Sequence, residues 1–147
     1  MKILIPVILF FSVPFKGSSQ LLKGEWTGTI ITYDTAGNRL NYYPTIKLKF
    51  ILNDDVYSVY SYSDGQDTNG NDTTVVCKVY YELIGKDSIY LEEVEVIQPQ
   101  NIKPLCMQKM FLKVLKKKKV TILEGLWESE PNQCATFGTI RFRRKEN

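Results

Sequence analysis

The stretch Thr73-Thr74-Val75-Val76-Cys77-Lys78-Val79-Tyr80-Tyr81-Glu82-Leu83-Ile84, then Gly85-Lys86-Asp87, then Ser88-Ile89-Tyr90-Leu91-Glu92-Glu93-Val94-Glu95-Val96-Ile97, decides the fold. Both flanks are rich in β-branched and aromatic residues and alternate with period 2, and a short Gly-containing turn joins them. This is the signature of a β-hairpin. The same pattern runs outward from Trp26 to Arg143, and no segment keeps a helical period. Strand candidates fall at residues 24–33, 43–52, 55–63, 73–84, 88–97, 106–116, 119–128 and 135–144.

Turn-forming residues separate them. They are Thr35-Ala36-Gly37-Asn38, Asn53-Asp54-Asp55, the stretch 64–72, Gly85-Lys86-Asp87, the stretch 99–104, Lys117-Lys118 and Glu130-Pro131-Asn132-Gln133. If the strands alternate up and down, the long links 34–42, 64–72, 98–105 and 129–134 gather at one rim. The tight turns at 53–55, 85–87 and 117–118 gather at the other. The expected fold is all-β, an eight-stranded antiparallel up-and-down barrel, because closure removes exposed sheet edges. A barrel of this size has an interior that side chains can fill or that can hold one small ligand. A two-sheet β-sandwich is the alternative.

The first residues carry a different signal. Met1-Lys2 gives a positive start, residues 3–15 are apolar apart from Ser12 and the prolines Pro6 and Pro14, and Gly17-Ser18-Ser19-Gln20 is small and polar. This reads as a secretory signal peptide over residues 1–19, too short to span a bilayer. Residues 20–147 then form a single domain, secreted or periplasmic. The leader holds Lys2 and Lys16 and no acid, so the net charge of +3 falls to near +1 without it. A near-neutral domain gives no global case for nucleic acid. No other stretch reads as a transmembrane helix.

The chain has no histidine. This removes Ser-His-Asp and Cys-His catalysis, His-containing zinc sites and the usual neutral-pH base. Cys77, Cys106 and Cys134 are too far apart for a CxxC site. In an oxidising compartment, Cys106 and Cys134 are placed at the same rim and are expected to pair. Strands two apart lie about 9.6 Å from one another, so pairing requires Cys134 to sit in the loop. Cys77 shares a face with Val75, Val79, Tyr81 and Leu83, and reads as a buried, inert thiol.

Leu22-Lys23-Gly24-Glu25-Trp26 places Gly-x-Trp at the start of the first strand, and Arg141 and Arg143 lie in the last. With eight strands, this resembles the lipocalin-like, calycin-type barrels. The resemblance covers the tripeptide, a C-terminal arginine and the strand count. It implies that Trp26 plugs the closed end of the barrel and that Arg141 or Arg143 covers it by a cation–π contact.

The remaining motifs have ordinary structural readings. Glu92, Glu93 and Glu95 cluster on the fifth strand, Glu93 and Glu95 as a solvated exterior, with no opposed carboxylate for hydrolysis. The acidic, amide-rich stretch 64–72 fits hairpin-loop chemistry and lacks the order of a calcium loop. No metal site or cofactor is expected. Asn71-Asp72-Thr73 fits an N-glycosylation sequon. Lys116-Lys117-Lys118-Lys119 forms a basic hairpin tip that could meet an anionic surface. The expected function is non-enzymatic: a monomeric barrel that binds a small apolar or amphipathic ligand at the long-loop rim. Tyr60, Tyr62, Tyr81, Met110 and Trp127 are the candidate ligand-binding residues, since they offer apolar faces with occasional hydroxyls. The alternative is a surface interaction module for a protein or polysaccharide, with a fully packed interior.

Overall fold

The computed structural model describes residues 21–40, 45–103, 105–130 and 134–144. The expected signal peptide lies outside them. Eight strands follow in order: β1 (Gly24–Tyr33), β2 (Thr45–Asn53), β3 (Val56–Gln66), β4 (Asp72–Ile84), β5 (Ser88–Gln98), β6 (Gln108–Lys117), β7 (Val120–Ser129) and β8 (Phe137–Arg144). Each pairs antiparallel with the next. β8 closes on β1 from Trp26↔Arg144 to Tyr33↔Phe137. That last ladder makes a closed up-and-down barrel and removes the sandwich alternative, which would leave open edges on both sheets. No helix among the described residues is long and apolar enough to cross a membrane.

The loops sort as the alternation requires. At the tight rim, Asp54 and Asp55 both have positive φ, 46° and 68°, and link β2 to β3 in the mirror-image turn that suits a twisted hairpin. At the long-loop rim, two loops repeat one motif: Asp34-Thr35-Ala36-Gly37-Asn38 and Asp67-Thr68-Asn69-Gly70-Asn71. In the first, Asp34 Oδ1 accepts from the Ala36 and Asn38 amides at 2.9 and 2.8 Å, and Oδ2 accepts from Asn38 Nδ2 at 3.0 Å. In the second, Asp67 makes the same three bonds to Asn69 and Asn71 at 2.9, 2.8 and 3.0 Å. The glycines supply the left-handed residue that each turn needs, φ 82° and 87°. Asn38 and Asn71 hold the two carboxyls below the usual aspartate range. The second loop therefore turns its carboxylate inward on its own amides.

The core fills the barrel from the tight-turn rim to beyond its middle. Trp26, Leu48, Leu91, Met110, Leu123 and Phe142 are wholly buried. The outer face is mixed in charge, with ion pairs such as Lys49–Glu25 at 3.7 Å and Arg141–Glu124 at 2.5 Å.

Candidate functional site: the barrel interior

The closed end is built around Trp26. Its indole Nε1 donates to the Leu22 carbonyl at 2.9 Å, and the Arg144 guanidinium lies 4.7 Å from its ring centroid. The expected cover was Arg141 or Arg143, and both face outward. The reason is strand parity. Phe142 points inward, so Arg144 does too, directly opposite Trp26, while Arg141 pairs with Glu124 on the outside. Tyr57 and Tyr81 complete this floor edge to face, with ring centroids 5.8 Å apart, and the Tyr81 hydroxyl accepts from the Tyr57 amide at 3.1 Å. Burial pushes the Tyr57 hydroxyl up.

The five candidate ligand residues do not converge. Tyr60 and Tyr62 pair with Lys49 and Lys47 and lie on the outer face. The inward positions of β3 are Tyr57, Val59 and Ser61. Tyr81 belongs to the floor. Met110 and Trp127 are direct register partners inside the barrel, nearer the long-loop rim. Trp127 reaches across β8, where Gly138 has no side chain, and its Nε1 donates to the Ile31 carbonyl of β1 at 3.3 Å. A Cβ at Gly138 would overlap that carbonyl and stand 2.7 Å from the indole nitrogen.

Above this apolar layer the interior changes character. Leu91, Met110 and Trp127 are successive partners across β5, β6 and β7. The next inward position of each strand, toward the long-loop rim, is Glu93, Gln108 and Ser129. Glu93 is only 5% exposed, which corrects its placement on the solvated exterior. Ser61 Oγ donates to Glu93 Oε1 at 2.5 Å, and the Gln108 amide donates to Oε2 at 3.0 Å. Burial raises the carboxyl above its usual value, against the pull of these two donors.

A break in the β4–β5 ladder explains Glu95. Lys78 pairs with Glu95 and Val79 with Glu93, so Val94 is extra, and both Val94 and Glu95 turn to solvent. Counting inward from Ile89 and Leu91 was the signal that reaches Glu93. Cys77, the register partner of Ser61, is buried, and burial with the adjacent Glu93 charge pushes its thiol up to about 12. An inert thiol is the outcome expected of it.

Loops above the polar layer are tied together. Cys106 and Cys134 form a disulfide with Cα atoms 5.8 Å apart. Both lie just outside the strands, before β6 and β8, which is how the bond spans the intervening β7. Ser129 and Thr136 add reciprocal bonds, the Thr136 amide donating to Ser129 Oγ at 3.0 Å. Among the described residues no cluster of His, Cys, Asp or Glu is placed to hold a metal ion. Lys116 and Lys117 end β6, Lys118 and Lys119 form its turn, and all four are exposed.

The outer face carries one apolar feature. Tyr90, Phe111, Leu126, Thr139 and Ile31 are consecutive register partners from β5 through β6, β7 and β8 to β1. Phe111 and Leu126 are 50% and 62% exposed. No protein-family model and no curated protein matches the chain.

Proposed function

We propose that this protein is an exported, lipocalin-like, non-enzymatic barrel that holds a small amphipathic ligand. The apolar part of the ligand lies against the Leu91–Met110–Trp127 layer, and its polar end meets the Glu93–Gln108–Ser129 layer. The ligand enters from the long-loop rim. One observation carries this reading: three adjacent strands switch from apolar to polar at the same height inside the barrel. A barrel serving only as a packed scaffold gains nothing from a buried carboxylate, since desolvating it costs several kcal/mol. Secretion or a periplasmic location fits the leader and the disulfide.

Native mass spectrometry of the protein from its original host tests the reading. The expected result is an adduct of a few hundred daltons that leaves on collisional activation. A bare polypeptide mass, together with no uptake of an apolar fluorescent probe, sinks it.

A second reading rests on the exposed Phe111 and Leu126 beside the half-buried Tyr90. Apolar patches of this kind mark interaction surfaces. On that reading the barrel is a module for a protein or polysaccharide partner, and its interior is packed. Replacing Phe111 with Ser and Leu126 with Lys would then abolish partner binding while leaving the interior unchanged.

A further inference from the structure

Glu93 is the only buried carboxyl group among the described residues. Among the described residues no lysine or arginine forms a salt bridge with it. A carboxylate offers about four lone-pair positions, and two are used here, by Ser61 Oγ and the Gln108 amide. The Gln108 side chain adds a second buried acceptor: its Oε1 has no hydrogen-bond donor. Gln108 faces inward with Met110, beside Glu93, so the unpaired groups at this level are acceptors and one of them is a carboxylate. A buried acceptor without a donor destabilises the fold unless a partner satisfies it.

A group that satisfies both must bring several N–H or O–H donors, and a positive charge would offset the desolvated carboxylate. An ammonium has three donors and that charge. A hydroxyl brings one donor and no charge. A carboxylate or phosphate would set a second negative charge against the first in a medium of low polarity. Below this level lie Leu91, Met110 and Trp127, an apolar layer of the buried core whose chemistry suits a hydrocarbon or aromatic tail.

We propose that Glu93 and Gln108 Oε1 form the head-group site for an amine carried on an apolar tail. The proposal rests on the reading of the interior as a ligand site, and it names the polar end of that ligand.

The test is calorimetric titration of the oxidised protein at pH 7 with three probes of equal tail: decylamine, decanol and decanoate. Decylamine is expected to bind at least about tenfold more tightly than decanol, with decanoate weakest, because charge-assisted hydrogen bonds are about twice as strong as neutral ones. Glu93→Gln preserves shape and removes the charge. It is expected to abolish the preference for decylamine over decanol. Equal affinities for the three probes, or tightest binding of decanoate, overturn the amine assignment and leave the interior ligand site standing. An amine preference that survives Glu93→Gln also overturns it. If none of the three binds, both the assignment and the ligand reading fall.

Discussion

The disulfide Cys106–Cys134 gives the most quantitative expectation. It closes a loop of 28 residues that contains all of β6 and β7. In the chain-entropy treatment, a cross-link over that length removes about 12 cal/mol/K from the unfolded ensemble, or about 3.5 kcal/mol at 25 °C. The Cα separation of 5.8 Å is ordinary for a disulfide, so the backbone need not deform to make it. Unfolding entropy near 2.1 cal/mol/K per residue, over the residues from Leu21 to Arg144, turns this into a fall of about 13 °C in melting temperature. The assay is thermal and guanidinium unfolding of the Cys106→Ala/Cys134→Ala double variant against the oxidised protein, with the reduced protein as control. Cys77 stays in place throughout as the buried thiol. A double variant that melts within about 2 °C of the oxidised protein would refute the reasoning. So would a reduced protein as stable as the oxidised one.

Other expectations follow from single contacts. Gly138→Ala pushes a methyl group into the Ile31 carbonyl and the Trp127 indole. It should cost about 1–3 kcal/mol or more, read from the urea midpoint, because β1 and β8 must part to admit it. Arg144→Gln removes the cover of Trp26 and should cost about 0.5–2 kcal/mol with a shift in tryptophan emission, whereas Arg143→Gln should stay within about 0.5 kcal/mol. Equal costs at the two arginines would show the parity argument to be wrong.

The raised carboxyl of Glu93 makes the native state bind a proton more readily than the unfolded chain. Its contribution to stability is therefore full below about pH 4.3, falls as pH rises through the folded value, and is flat beyond. Glu93→Gln should remove that slope and be more stable than the parent at neutral pH; parallel stability–pH curves would contradict this. Asp34 and Asp67 act oppositely. Their lowered carboxyls stabilise above about pH 3.9 and lose this as pH falls through the folded values. The Asn38→Ala/Asn71→Ala variant should show a shallower acid limb in the same titration.

Strand number, closure and the sorting of loops follow from period-2 alternation and turn chemistry, which are local properties that the sequence carries openly. Facing is harder to read where both phases of a strand look alike. In Val56-Tyr57-Ser58-Val59-Tyr60-Ser61-Tyr62, each face holds a valine or tyrosine, and the choice falls to packing: Tyr57 completes the floor while Tyr60 and Tyr62 go outside. Glu93 goes astray for a different reason. The alternation from Ile89 and Leu91 points it inward, but charge argues for solvent. The bulge at Val94, a tertiary feature, then returns Glu95 to the surface. The Arg144 contact was one residue from the expected position because the last strand is basic on both faces. The repeated Asp-Thr-x-Gly-Asn loops stand in the sequence as plainly as the Gly-x-Trp, and only their shared hydrogen bonds give the repetition a meaning.

Those two loops have a consequence for variation. Each fixes its shape with an aspartate, a glycine and an asparagine, and asks nothing of Thr35, Ala36, Thr68 or Asn69 beyond a backbone amide. Four solvent-facing positions at the long-loop rim can therefore change side chain without altering the turn. The rim can therefore change its side chains while the barrel beneath it folds as before, which makes these positions the natural places to graft foreign side chains or a reporter.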